Sequence, residues 1–425
     1  MGSLALKILA RHANKARIEP GEIVVARVDR VMVNDVTGPL ALKVLEETGA
    51  ESLVGSSNVK VYIVLDHYSP AHNWDSANAH RMLRAFASRT DSVLFDVGAG
   101  VAHQILCEGI VRPGELVVGA DSHTITYGGI SVFATGIGSS EAAYAMVTGE
   151  LWFKAPEPLY VKVDGSLRPG IAEKDLALHV LSKLGADGAL YRSVEFYGRG
   201  LKSLGVPGRL AVANMMVEAG AKTALFPFDE ATMEWLVRHG VEPRIQWHDL
   251  TVEPEGYEDL HVDLNQLEPM VSIPPSPANV KPVSDVEGVP VDQVFIGSCT
   301  NGRYEDFVAA ARIIRGRRLK SRLVIVPASQ TVLRCLVETG LLKVFVDAGA
   351  VIGPPGCGPC FGAHMGVIGD GEVLVSTANR NFPGRVGPLT AKVYLVSPYT
   401  AAAAAVTGYI TDPRPLLNKE GRCSS

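Results

Sequence analysis

Short apolar runs rich in β-branched residues recur along this chain, each closed off by turn residues, and nothing else restricts its fold so tightly. They cover residues 22–28, 59–65, 93–97, 116–119, 159–163, 291–296, 323–327, 372–376 and 392–396. Between several of them the apolar residues adopt helical spacing, at 76–87, 140–152, 174–183, 229–239 and 304–314. Strands alternating with amphipathic helices predict an α/β fold with mostly parallel sheets, because a parallel pair needs a crossover and a helix supplies it. In such sheets functional residues collect in the loops after the carboxyl ends of the strands. A chain of 425 residues is too long for one hydrophobic core. Six prolines between 269 and 290 predict an extended, semi-rigid junction, and Pro156-Glu157-Pro158 a weaker one. The expected domains are therefore 1–155, 156–273 and 274–425. The alanine run 401–405 predicts a tightly packed helix start.

Composition narrows the function classes. The chain is 47% hydrophobic and 20% charged with a net charge of −5, so no general electrostatic attraction to nucleic acid or an anionic membrane is expected. Six cysteines in so long a chain do not make a disulfide framework. No signal peptide or membrane-length apolar run is evident, so a reducing, cytoplasmic setting is expected.

The polar loops carry the chemistry. Gly353-Pro354-Pro355-Gly356-Cys357-Gly358-Pro359-Cys360 is too rich in Gly and Pro to be helix or strand, and such a loop can point both sulfurs one way. A third cysteine lies in Gly297-Ser298-Cys299-Thr300-Asn301-Gly302, just after an apolar run. Three thiolates suffice for an iron–sulfur cluster with one iron left open to substrate. The same Cys-x-x-Cys spacing also serves zinc half-sites and redox pairs. Cys107, Cys335 and Cys423 have no motif around them, and Cys335 is expected in the core.

Acid and histidine residues follow other strands. Asp66-His67 ends one, His103 follows the turn Gly98-Ala99-Gly100, and Asp121-Ser122-His123-Thr124 ends a third before Tyr127-Gly128-Gly129. Asn214 and Glu218 are four apart, so a helix would place them on one face. Taken singly, such residues also serve as caps, satisfied turns or solvated faces. Together with three loop cysteines they point to a catalytic site. Arg380 and Arg385, either side of a Pro-Gly turn and beside Asn379, form a fork for carboxylates. An open iron beside such arginines and Asp/His acids suits eliminating water from a hydroxy polycarboxylate, since hydroxide leaves poorly without protonation.

Val118-Gly119-Ala120-Asp121-Ser122-His123-Thr124, Gly297-Ser298-Cys299-Thr300-Asn301-Gly302, Gly356-Cys357-Gly358-Pro359-Cys360 and Asn379-Arg380-Asn381-Phe382-Pro383-Gly384-Arg385 resemble motifs of the aconitase superfamily. Within it the chain is most similar to the large subunits of 3-isopropylmalate dehydratase and archaeal-type homoaconitase, over nearly its whole length. The resemblance implies three α/β/α domains around a [4Fe-4S] cluster held by Cys299, Cys357 and Cys360. It implies catalytic roles for Asp66, His67, His103, Asp121, His123 and Glu218. Ser122, Asn214, Asn379, Arg380 and Arg385 would lie at the substrate or cluster. The implied activity is a hydro-lyase of leucine synthesis, with homocitrate as the alternative substrate. A cluster-based sensor or RNA-binding protein is the remote alternative, disfavoured by the acidic balance and the lack of a basic stripe.

The family's general base is a serine in Gly-Ser-Ser-Arg on a swivelling domain. Here Gly55-Ser56-Ser57 is followed by Asn58 and Gly138-Ser139-Ser140 by Glu141. The expectation is a large subunit, inactive alone, that receives the swivel domain and its serine from a separate small subunit. The segment Tyr68-Ser69-Pro70-Ala71-His72-Asn73-Trp74 departs from the family pattern, as do Ala102 and Ala213, where relatives often carry Cys.

Overall fold

The computed structural model describes residues 2–417 apart from 243, 255–257 and 363; Cys423 lies outside the described residues. Among the described residues three parallel sheets form, each flanked by helices. The first has the order Val93–Phe95, Lys60–Val64, Arg30–Asn34, Leu116–Gly119, Phe133–Gly136, all parallel. Leu116–Gly119 is buried along its whole length and Lys60–Val64 at all but its first residue, as a strand covered on both faces must be. The second sheet runs Thr223–Leu225, Ser193–Tyr197, Pro158–Asp164, Leu260–Asp263, again parallel. The third sets Lys392–Val396, Val373–Ser376, Gln293–Ile296, Arg322–Ile325 and Val351–Ile352 in parallel order. The proline-rich stretch adds two antiparallel strands to it, Met270–Ser272 beside Lys392–Val396 and Val280–Pro282 outside that at the edge. Of the stretch's prolines Pro282 alone lies within a strand, and it is tolerated there because an edge strand leaves one row of N–H groups unused.

Several expectations need correcting. The helix expected over 140–152 spans Ser139–Thr148 and stops at Gly149, whose φ of 70° terminates it in the left-handed region. Residues Glu150–Lys154 then form a strand that pairs antiparallel with Ile23–Arg27, so the run at 22–28 lies in a separate two-stranded ribbon. The helix carrying Asn214 is Val206–Met215, and Glu218 sits beyond it on a 3-10 turn, Met216–Ala219. Cys335 is half-buried on the helix Gln330–Glu338 and is not part of the core, because the buried stripe of that helix is Val332 and Leu336. The alanine run behaves as expected: all five residues are fully buried in the helix Pro398–Thr407.

Parallel order decides where the polar loops emerge. Arg30–Asn34, Lys60–Val64 and Leu116–Gly119 end on one edge of the first sheet, so the residues after them share that edge. Gln293–Ile296, Arg322–Ile325 and Val373–Ser376 do the same for the third sheet. The two edges meet through a backbone bridge between Gly100 and Ser329, and through Cys357 N–H donating to the Asp66 carbonyl at 2.9 Å. Gly100 is required there: its φ is 131° and a Cβ would lie 2.4 Å from the Ala328 carbonyl oxygen.

Candidate active site

The strand-end acids and histidines form one network. His67 Nδ1 lies 2.7 Å from Asp66 Oδ1, and Asp66 Oδ2 accepts the Ala102 N–H at 2.8 Å. Burial works against a charged His67 ring, but Asp66, then Asp121 and Asp35, outweigh it and raise its pKa to about 10. The ring is therefore an imidazolium through the neutral range, with Nε2 facing Asp121 Oδ2 at 3.8 Å. His103 Nε2 is 3.1 Å from Asp121 Oδ1, and its Nδ1 is 3.2 Å from the Tyr127 hydroxyl. Asp121 also caps the 3-10 helix Ser122–Ile130 by accepting the His123 N–H at 2.8 Å, so the cap reading and the site reading both hold for it. Burial tends to raise its carboxyl, yet His103 and His123 hold it well below the usual range. His123 Nε2 reaches Glu218 Oε1 at 3.0 Å.

The three motif cysteines come together from two short helical turns: Cys299 lies in Ser298–Asn301, and Cys357 caps the 3-10 turn Gly358–Cys360, so the Gly- and Pro-rich stretch expected to form no helix does form one turn. Cys299, Cys357 and Cys360 are free thiols, each 6–7% exposed. The Asn379 carboxamide touches two of them, its Nδ2 3.4 Å from Cys299 Sγ and its Oδ1 3.4 Å from Cys360 Sγ. Asn214 Nδ2 adds a second contact to Cys299 Sγ at 3.2 Å. Cys357 stands at the Asp66–His67 pair, with one ligand atom of each residue within 4.8 Å of the others. Burial and then mutual repulsion push Cys299 up to about 12, and Cys357 also rises well above the ordinary thiol value. Buried thiols that oppose one another's ionisation, with carboxamides aimed at their sulfurs, fit a bound metal centre better than an apolar core. The residues present thus fit an iron–sulfur cluster.

The arginines frame the same space. Arg380 Nε donates to Glu218 Oε1 at 2.8 Å and its Nη2 to Ser122 Oγ at 3.1 Å. Despite burial, His123 and Arg380 hold the Glu218 carboxyl below its ordinary value. Arg385 Nε donates to the Cys360 carbonyl at 3.1 Å, and its guanidinium lies 5.6 Å from the Phe361 ring centre. Phe361 meets the His67 ring edge-on at 5.3 Å, and Tyr68 packs against Phe361 at 6.1 Å. The unusual segment 68–74 therefore borders the site, while Trp74 at its end is 81% exposed.

Sequence reasoning passed over several members. Asp35 is buried and accepts from His67 N–H, Tyr68 N–H and His80 Nε2, which fixes the loop carrying His67. Asn34 Nδ2 donates to Asp121 Oδ2 at 3.1 Å. Thr126 Oγ1 accepts from Asn214 Nδ2 at 2.8 Å. The available signal was position: Asn34 and Asp35 close a strand just as Asp66 and Asp121 follow theirs. Lys174, fully buried on the helix Glu173–Leu184, and Arg303, fully buried just before the helix Tyr304–Ile314, gave no such signal, since nothing local marks a basic side chain as buried.

Comparison with known proteins identifies the family. The profile of the aconitase family (aconitate hydratase) matches residues 6–288 and 281–408. The 3-isopropylmalate dehydratase large subunit 1 of Methanopyrus kandleri is 47% identical over 424 residues, covering 98% of this chain and 99% of that protein. The large subunit 1 of Thermotoga maritima is 46% identical over 421 residues, with 98% and 99% covered. The large subunit 2 of Archaeoglobus fulgidus is 43% identical over 417 residues, with the same coverage. The crystal structure of Thermococcus kodakaraensis aconitase X (holo-form) superimposes with a TM-score of 0.50 at 12% identity, covering 88% of each chain, which speaks for the fold alone. With the motifs, the sheets and whole-length identity in agreement, this chain belongs to the aconitase family of hydro-lyases.

Proposed function

We propose that the chain is the cluster-bearing large subunit of a 3-isopropylmalate dehydratase, organised as three α/β/α units at 1–155, 156–273 and 274–425. The observation that carries the reading is the convergence of three buried thiols, two acid–histidine pairs and two arginines on one space. Cys299, Cys357 and Cys360 would hold a [4Fe-4S] cluster. When bound, the cluster supplies an open iron that polarises the substrate's hydroxyl and carboxylate. Arg380 and Arg385 orient the substrate through its carboxylates. His67, kept protonated by Asp66 and Asp121, offers its Nε2 proton to the hydroxyl oxygen that leaves as water. His103 and His123 hold Asp121 ionised, and Glu218 fixes His123 while sharing Arg380. Asn214 and Asn379 direct N–H groups at Cys299 Sγ and hold it in place.

Neither Gly55-Ser56-Ser57-Asn58 nor Gly138-Ser139-Ser140-Glu141 carries the arginine of the family's base motif, and the relatives that match over 99% of their length are named large subunits. A separate small subunit then supplies that serine and most of the choice of substrate side chain. No described helix is long and apolar enough to cross a membrane, and the net charge is −5. The test is a hydratase assay of the anaerobically reconstituted chain, with and without its small subunit, offering isopropylmalate, homocitrate and citrate. Activity only with the partner, and strongest on isopropylmalate, is expected. Preference for homocitrate would move the enzyme to the homoaconitase branch, and silence with all three despite a loaded cluster would overturn the substrate class.

A further inference from the structure

Two fully buried cations stand behind the site, and neither forms an ion pair with a carboxylate among the described residues. Lys174, on the helix Glu173–Leu184, is 0% exposed. Its Nζ donates to the carbonyls of Thr377 at 3.0 Å and Ala378 at 2.7 Å, the two residues just before Asn379. Arg303 is 1% exposed, and its Nη1 and Nη2 donate to the carbonyls of Thr300 at 2.6 Å and Cys299 at 2.8 Å. Its Nε has no partner.

Burying an unpaired cation is costly, and peptide carbonyls return a dipole but no charge. Two buried acids, Asp306 and Asp175, also act on these cations, but burial pushes their carboxyls up to about 6 and about 7. Asp306 accepts from Asn301 Nδ2 and the Arg303 backbone N–H, and Asp175 from the backbone N–H groups of Ala172 and Met270. Burial lowers the Lys174 pKa to about 7, and of the charges opposing that fall, Cys360 and then Cys299 act most strongly. Both cations border the backbone that carries the ligand sulfurs and their contacts: Lys174 holds the turn before Asn379, whose carboxamide touches Cys299 and Cys360, and Arg303 holds the Cys299 carbonyl.

We propose that Lys174, with Arg303 behind the Cys299 loop, is the built-in counter-charge of the thiolate-ligated centre. It is a positioning residue that stabilises the loaded state and steadies the turn presenting Asn379 and Arg380. The inference rests on the reading of Cys299, Cys357 and Cys360 as cluster ligands.

The experiment compares Lys174→Gln, which keeps N–H donors for the two carbonyls but removes the charge, with Lys174→Met, which removes both. Each protein is reconstituted anaerobically with iron and sulfide, and two quantities are read: the rate of iron release to a chelator, and the gap in Tm between loaded and apo protein. Both variants should release iron about tenfold to a hundredfold faster than wild type, the usual cost of losing an outer-shell partner. Both should also narrow the Tm gap. Wild-type behaviour in Lys174→Gln would reduce Lys174 to a loop anchor and overturn the proposal, as would an unchanged gap in both variants. Should neither lysine variant fold, Arg303→Gln carries the same comparison. A wild-type chain that takes up no iron would instead overturn the ligand reading, and this inference with it.

Discussion

Cys335 and Cys357 differ in what surrounds their sulfurs, and that difference can be tested directly. Cys357 is buried beside Asp66 and His67, whereas Cys335 sits half-buried on the helix Gln330–Glu338, outside that group. Cys357→Ser should abolish iron retention after anaerobic reconstitution, and with it activity in the presence of the small subunit. Cys335→Ser should leave both unchanged, since a half-buried thiol away from the site contributes little. Iron and sulfide analysis of the two variants decides the matter, and identical behaviour would remove Cys357 from the ligand set. Ser298, the residue before Cys299, adds a local mark of function: its φ of 71° places a non-glycine residue in the left-handed region.

At the scale of elements, the 3-10 helix Ser122–Ile130 is pressed between two neighbours, and its glycines make the approach possible. A Cβ at Gly128 would lie 1.6 Å from the Ala224 carbonyl oxygen on the strand Thr223–Leu225. At Gly129 it would lie 2.7 Å from the Leu210 backbone nitrogen on the helix Val206–Met215. This close packing brings His123 to Glu218 and Thr126 to Asn214. Gly128→Ala should therefore destabilise the protein by roughly 1–3 kcal/mol or more, the range for overpacking a tight contact. It should also weaken activity, because the helix must retreat and take His123 with it. Denaturant unfolding checks the first effect, and a variant as stable as wild type would show that the contact can relax without cost.

Across the whole molecule, the first helix, Leu4–His12, straps two sheets together. At its start Glu195, on the second sheet, accepts from Ser3 Oγ and from the N–H groups of Leu4 and Ala5. At its end His12 Nε2 meets Asp29 Oδ2 at 2.7 Å, just before the first sheet's strand Arg30–Asn34. Burial opposes the charge on His12, but Asp29 outweighs it and raises its pKa above 6.5. Asp29, against its own burial, is lowered below 3.8 by His12. The stabilisation from His12 is complete below its unfolded value and is lost as pH rises through its raised one. That from Asp29 is complete above its unfolded value and is lost as pH falls through its depressed one. The Tm difference between wild type and His12→Gln should thus be greatest in between and close in alkaline solution. The underlying stability difference should be on the order of 1 kcal/mol at most, because the Asp29 side chain is 36% exposed and solvent screens the pair. A difference independent of pH would show that the ring acts by packing alone.

What the sequence determined by itself was everything that depends on local pattern. Period and turn chemistry marked the runs at 59–65, 116–119, 291–296 and 392–396, and the parallel order that follows places Asp66, Asp121 and Cys299 at strand ends. Gly and Pro around Cys357 and Cys360 showed a loop able to bind. Local pattern failed where a neighbour distant in sequence made the decision. Glu150–Lys154 reads as the tail of a helix until Ile23–Arg27 pairs with it. Asp35 gains its importance only from His67, His80 and Tyr68, brought to it from other segments. Lys174 looks like any lysine of a surface helix until the loop at 377–378 closes over it. Propensity acts within a few residues, whereas burial and charge compensation are properties of the assembled sheets, so only the tertiary structure decided them.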